Sequence, residues 1–508
     1  MRSLYSFKNI ISGIGGQFIA FLLQFVSRTI FIKTLGTEYL GISGLFTNIL
    51  NILSISELGI GAAIVYSLYK PLSEKDTYKI HSIMNYLKKS YFIIGCVILV
   101  LGSSLIPFLP YIIKGSTDLV YINNIYLLYL FQSVSSYWFF AYKSALLRAD
   151  QKEYIINIAN YIIIAITTLI QVMILLLFKS FIIYIIIGVT SNIFKNIILA
   201  CRVNILYPYL KRKKNIVLLK EDKKAINKNI FGLTMYKISS TVLTSTDNII
   251  ISSFIGINIV GLFSNYTLIT NTVSLFVRII FSSFISSIGN LYVSESKEKS
   301  EQIFRCINFL NFWVYGTCSV CLLILIKPFI TLWLGQSFLL DSYVALFIVI
   351  DFLTAGLQSA VISYKDACGL FWQGKYRPIA SAALNIIFSI VLVKPLGITG
   401  VFLGTIISRF LSTWWFDPWL VHKYAFNISP IRYYFRYFRS LIIVAITIII
   451  VYIICIPFQT VSFLNLIIKG IICVVTPNIL FYILFKNSFE FEYIINKIKD
   501  LFKKGLKV

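Results

Sequence analysis

From residue 8 to residue 485 the chain is one apolar run after another, each about the length of a bilayer crossing. The runs are long and do not alternate with polar residues, so helices rather than barrel strands are the expected spanning form. Fourteen spans are predicted: 9–34, 41–69, 83–109, 119–142, 154–178, 181–207, 229–254, 259–288, 304–327, 341–364, 377–394, 397–421, 438–457 and 461–485. The first run is longer than a signal-peptide core, and no small-residue cleavage site follows it, so it is read as a span. Composition agrees, with 58% hydrophobic and only 13% charged residues; soluble chains carry about 25% charged residues.

Charge changes the picture by fixing an orientation. Net charge is +26, and 35 of the 46 Lys and Arg residues fall in segments on the side that holds both termini. Only Lys33, Lys114, Lys179, Lys327 and Lys394 fall on the other side. Basic loops stay in the cytoplasm, so both termini are expected there. This placement explains most of the charge without nucleic acid, and no nucleic-acid-binding motif is present.

The most basic stretch, YPYLKRKKNIVLLKEDKKAINKN, divides the chain into two six-span halves that resemble each other. KNI at 8–10 recurs at 228–230, and GTEYLG at 36–41 recurs in spacing as GINIVG at 256–261. YKSALLRADQKEY at 142–154 aligns with YKDACGLFWQGKY at 364–376. An even number of spans per repeat puts both halves in one orientation, related about the membrane normal. The expected fold is therefore an all-α membrane protein. Two pseudo-symmetric six-helix bundles, 1–207 and 229–421, surround a central cavity and are joined by a basic connector, 208–228. Two further helices follow in 422–485, then a basic amphipathic tail, 486–508, suited to the inner leaflet.

A charge at the bilayer centre costs about 2.5–3.5 kcal/mol on insertion scales and normally faces protein or water. This chain places several there. Gln17, Gln24 and Arg28 share one helical face in the first span. Lys237, Ser240, Thr241, Thr244 and Asn248 form a stripe edged by Asp247. Thr267, Asn271, Ser274 and Arg278 form another, and Thr405, Arg409 and Ser412 a third. Lys195 stands two turns after Gly188, and Glu57 stands between Ser54 and Gly61 on its face. Lys237 and Arg278 either line the cavity or snorkel, Asp351 either functions or pairs with a neighbouring helix, and Lys469 is assigned to packing or snorkelling. Arg28, Lys195, Lys237, Arg278 and Arg409 outnumber Glu57, Asp247 and Asp351. A cationic cavity suits an anionic substrate such as a phosphate or pyrophosphate, to which Arg offers a bidentate fork.

Other chemistry is missing. No GxxxxGK[ST] loop marks an ATPase, and with only His81 and His422 neither a zinc site nor histidine-based catalysis is expected. Cys318 and Cys321 form a CxxC inside an apolar run, which reads as packing rather than metal or redox chemistry. No catalytic residue is predicted, and no external loop is long enough to carry a membrane enzyme's acid/base residues.

SRTIFIKTLGTEYLGISGLF, SELGIGAAIVYSLYKPLSEKD and YKSALLRADQKEY resemble the polysaccharide-transporter (Wzx-type) flippases of the multidrug/oligosaccharidyl-lipid/polysaccharide exporter superfamily. The resemblance runs over most of the chain and is densest in the first two spans. It implies a V-shaped pair of bundles around a cationic lumen in the bacterial cytoplasmic membrane. It implies alternating access, coupled to an H⁺ or Na⁺ gradient, that moves undecaprenyl-pyrophosphate-linked oligosaccharide units for capsule, exopolysaccharide or O-antigen synthesis. No other cofactor is implied. Partners would be the lipid-linked glycan, membrane lipids, and the polysaccharide polymerase and chain-length machinery. The family's lumen cations carry over best onto Arg28. Glu57 would then pair with a lumen cation such as Arg28, or bind the coupling ion. The alternatives are a drug/cation antiporter of the same superfamily, and a flippase for a peptidoglycan or teichoic-acid precursor.

Overall fold

The computed structural model describes residues 2–57, 60–114, 121–211, 218–282, 296–370 and 373–505, and among these it contains no β-strand. By packing, the chain divides into two compact units, Met1–Gly261 and Leu262–Val508.

The first unit holds α1 Arg2–Leu35, α2 Thr37–Leu53, α3 Ile60–Ser73, α4 Thr77–Ser104, α5 Leu109–Ile112, α6 Ile122–Trp138, α7 Ser144–Ala149, α8 Glu153–Phe178, α9 Phe181–Leu206 and α10 Lys220–Phe254; α11, Ile257–Ser282, begins at its end. Local chemistry sets the boundaries. The Asp76 carboxylate caps α4 by accepting the Lys79 amide at 2.9 Å. Gly36 (φ 88°) breaks α1 from α2, and Gly256 (φ 142°) breaks α10 from α11, at equivalent points of the repeat. The glycines five residues on also match. Gly41 and Gly261 let two backbones touch, because a Cβ on Gly41 would collide with the Ile257 carbonyl and one on Gly261 with the Thr37 carbonyl. α1 packs on α8, α6 on α4 and α9, and α10 on α2 and α3. The repeat assigns α10 to the second bundle; its packing lies with the first unit.

The second unit holds α12 Lys297–Trp333, α13 Ser342–Leu357, α14 Ser359–Ala367, α15 Arg377–Leu396, α16 Ile398–Leu411, α17 Thr413–Val421, α18 Ile431–Cys455, α19 Phe463–Phe485 and α20 Phe489–Gly505. α12 is its hub and packs against α13, α18, α19 and α20. α15 and α16 form a tight hairpin: side chains at Gly400 or Gly404 would strike the α15 backbone at Leu392 and Ser389. Asn385 Nδ2 donates to Thr405 Oγ1 across it at 2.8 Å. The tail helix α20 starts docked on the unit, with Phe491 stacked on Trp313 at 5.7 Å.

Among the described residues, ten helices are long and apolar enough to cross a membrane. α8 has a mean hydropathy of 2.6 over its most apolar stretch, yet Ile162, Leu169 and Met173 are 54%, 59% and 60% exposed. Such a surface belongs in lipid, and the chain is a multi-pass membrane protein. The four remaining predicted spans differ for identifiable reasons. Span 41–69 is broken by a 3-10 turn at Ser54–Glu57, and span 397–421 is broken at Ser412. α6 has only 17 residues. α10 is a long helix of low hydrophobicity, with acidic residues in its first turn.

Candidate functional site

Among the described residues, two polar cavities lie within the first unit. One, of about 450 Å³, lies among α1, α2, α8 and α9. Gln17, Gln24 and Arg28, three positions on one face of α1, line it together with Ser27. Asn160, Tyr161, Thr168 and Gln171 of α8 and Tyr184 of α9 complete it. Gly16 makes the α1–α8 approach possible, because a Cβ there would enter the Tyr161 ring. The Tyr161 hydroxyl donates to Gln17 Oε1 at 3.1 Å, and Gln171 Nε2 donates to the Tyr184 carbonyl at 3.0 Å. Tyr184 is hydrogen-bonded to Ser27 and stands beside Arg28. One guanidinium among amides and hydroxyls makes a surface suited to an oxygen-rich anion.

The second cavity, of about 490 Å³, is lined by Thr47, Asn51, Ser54, Glu57, Gln132, Ser136, Tyr137, Asn192, Thr241 and Ser245 among others. Among the described residues its lining holds one carboxylate and no cation. The break after α2 puts Glu57 there. Ser54 Oγ donates to the Leu50 carbonyl at 2.8 Å, which satisfies a freed acceptor where α2 ends. Glu57 then accepts from the Tyr91 hydroxyl at 3.1 Å and the Tyr137 hydroxyl at 3.3 Å. Its expected partner Arg28 lines the other cavity. Two phenols, not a guanidinium, hold this carboxylate.

The other predicted residues are dispersed. Lys195 is half-buried on α9, within the field of Arg148, and lines neither cavity. Asp247 is half-buried on α10, whose Thr241 and Ser245 line the Glu57 cavity. The side chain of Lys237 lies outside the described residues. Arg278 is exposed, near Tyr315 in the second unit. Lys469 is half-buried beside Cys455 and Cys473.

Arg409 and Asp351 find each other. Arg409 Nη2 lies 2.8 Å from Asp351 Oδ1, and Nη1 donates to the Asp351 carbonyl at 3.2 Å and to Thr354 Oγ1 at 2.7 Å. Oδ1 accepts no well-directed hydrogen bond, so the contact is charge on charge. Arg409 is thus neutralised within its own unit, which removes its charge from a sum over free cations.

Sequence reasoning missed a buried cluster in the second unit. Asp417 Oδ2 lies 3.0 Å from Arg377 Nη2 and 3.4 Å from Lys365 Nζ, with the Asp417 and Lys365 side chains almost wholly buried. Asp417 sits in FDPWL at the edge of a predicted span, where a charge raises no alarm. The cluster gives a role to the third repeated motif. Its lysines, Lys143 and Lys365, each reach a later helix of their own unit, at Asn204 Oδ1 (2.7 Å) and at Asp417. Of the CxxC pair, Cys321 donates to the Cys473 carbonyl, which is a packing contact.

Residues 6–286 match the model of the family described as polysaccharide biosynthesis protein. The chain belongs to that family. No curated protein matches its sequence. Among solved structures, the lipid II flippase MurJ in an inward closed conformation superposes with a TM-score of 0.68 at 16% identity, over 94% of this chain and 99% of that one. An inward-facing multidrug resistance MATE family transporter of the MOP superfamily reaches 0.55 at 14% identity, over 77% of this chain and 91% of its own. A mutant of the Vibrio cholerae MATE transporter VcmN also reaches 0.55 at 14%, over 81% of this chain and 95% of its own. At such identities the likeness fixes the fold, which this polysaccharide biosynthesis protein shares with those transporters.

Proposed function

We propose that the chain is a flippase for a polyprenyl-pyrophosphate-linked oligosaccharide in the bacterial cytoplasmic membrane, working by alternating access. The carrying observation is the Arg28 cavity, where one guanidinium stands among glutamines, hydroxyls and phenols. A guanidinium binds pyrophosphate in a bidentate fashion, and amides and hydroxyls suit sugar hydroxyls. Family membership supports a substrate from polysaccharide synthesis, and the flippase fold supports a lipid-linked one. Undecaprenyl is the expected carrier, and capsule, exopolysaccharide or O-antigen the expected product.

The Glu57 cavity supports ion coupling. A carboxylate held by two phenols, with no cation among the described lining residues, is an environment for H⁺ or Na⁺. The same acidic cavity is the observation that favours the second reading, antiport of cationic drugs. Reconstituted protein discriminates between the two. Under an H⁺ or Na⁺ gradient, a flippase exposes a lipid-linked glycan to an impermeant lectin and leaves cationic dyes where they are. Dye efflux without glycan exposure would establish the antiporter instead.

A further inference from the structure

The transport reading leaves a groove of about 310 Å³ in the second unit unused. Among the described residues, five basic side chains line it against three carboxylates. Arg432, Arg436 and Arg439 on α18 are spaced by four and three residues, so they share a helix face. Arg305 of α12 faces them. Its Nε and Nη2 both donate to Glu490 Oε1, at 2.9 and 2.7 Å, while Arg436 Nη1 stands 4.0 Å from that same oxygen. The Glu490 charge is therefore spent largely on Arg305. Arg305 and Arg439 repel Arg436, while Glu490 and Glu301 attract it. Among the described residues, Arg432 and Arg439 have no carboxylate within 4.0 Å; Arg439 lies over the Phe485 ring at 5.4 Å.

The groove's position gives this excess positive charge a ligand class. The arginines occupy the first turns of a helix that continues as a membrane span to Phe458. Phe435 and Ile442 on that helix are 73% and 59% exposed, so lipid-facing surface starts at the groove itself. We propose that the groove binds the phosphate of an anionic lipid in the leaflet at the α18 N-terminus. Arg432, Arg436 and Arg439 are the phosphate ligands, and the acyl chains lie along the exposed face of α18. Free phosphate offers the same headgroup chemistry, but it makes no use of the apolar face that continues from the site.

The test is native mass spectrometry of the full chain in detergent, titrated with phosphatidylglycerol, with phosphatidylcholine, and with inorganic phosphate as competitor. Each arginine facing an anionic headgroup contributes about fivefold in affinity. The wild type is expected to bind phosphatidylglycerol at least about tenfold more tightly than phosphatidylcholine. Replacing Arg432, Arg436 and Arg439 together by Ala removes that preference. Replacing Lys220, Lys223 and Lys224 on α10 by Ala leaves it in place. Where the triple variant fails to fold, replacing only the exposed Arg432, Arg432→Gln, is expected to lower phosphatidylglycerol affinity about fivefold. Equal binding of the two lipids overturns the proposal, as does unchanged phosphatidylglycerol affinity in the arginine variants. Displacement of the lipid by millimolar inorganic phosphate would make this a bare-anion site and overturn the lipid assignment.

Discussion

Replacing Asp351 by Asn tests whether Arg409 is a structural cation or a substrate ligand. The two groups lie 2.8 Å apart with side chains 18% and 29% exposed. Unit charges about 4 Å apart at an effective dielectric of 20 attract by about 4 kcal/mol, and desolvation cancels part of that. In Asp351→Asn, the hydrogen bonds from Arg409 to the residue 351 carbonyl and to Thr354 can persist. The expected net loss is about 1.5–3 kcal/mol, what remains of that attraction after desolvation. For a unit of this size that lowers the melting temperature by roughly 3–12 °C. The assay is a double-mutant cycle with Arg409→Gln, read by thermal unfolding in detergent. The pair predicts a coupling of about 1–2 kcal/mol, and single-mutant effects that add within about 0.5 kcal/mol would refute it. Transport gives the second readout. Arg409→Gln should lose stability while keeping transport per folded molecule. A fully stable Arg409→Gln protein that no longer transports would return this arginine to the substrate path.

Further perturbations follow from other contacts. Glu57→Gln should uncouple transport from the ion gradient; gradient-driven flipping at the wild-type rate in that variant would remove Glu57 from coupling. Gly404→Val forces a side chain into the α15 backbone near Ser389 and should cost about 1–3 kcal/mol or more, read as lost folded yield. Burial alone would raise the Glu490 carboxyl pKa. Its own backbone amide and the hydrogen bond and charge of Arg305, with Arg436, outweigh burial and hold it below the ordinary 4.5. A depressed carboxylate pKa stabilises above the unfolded value, so the docked start of α20 should be fully protected from hydrogen exchange above that pH. Protection should be lost as pH falls through the lowered value, and Glu490→Gln should abolish this dependence. Protection that does not change with pH in the wild type would refute the ion pair's part in docking.

The spans that could be read from the sequence were those whose apolar length survives as one uninterrupted helix, such as α8 and α18. The recurring glycine was legible too, because Gly36 and Gly256 share a backbone requirement, not merely a composition. The break at Ser54–Glu57 was not legible, because Ser-Ile-Ser-Glu is too short to lower the hydrophobicity of a whole run. Helical spacing did group Gln17, Gln24 and Arg28, since one helix face is a local property. Partners across helices were invisible. Tyr91 and Tyr137 lie 34 and 80 residues from Glu57, among 32 tyrosines, and Arg409 lies 58 residues from Asp351. A sum of signs does not record who is paired: Arg409 and Asp351 cancel each other, which leaves the excess of cations over carboxylates as it was.

The most direct measurement places Arg28 on or off the substrate path. Wild type, Arg28→Lys and Arg28→Ala are reconstituted in liposomes with a polyprenyl-pyrophosphate oligosaccharide, and glycan exposure to an impermeant lectin is followed under an ion gradient. Loss of a guanidinium's charge-assisted bonds to pyrophosphate is worth about 1.5–3 kcal/mol, or roughly 10- to 100-fold. Gradient-dependent exposure in the wild type is predicted, with Arg28→Ala slower by that factor and Arg28→Lys in between, because lysine keeps the charge and loses the fork. Equal flipping by all three proteins would contradict a substrate site at Arg28.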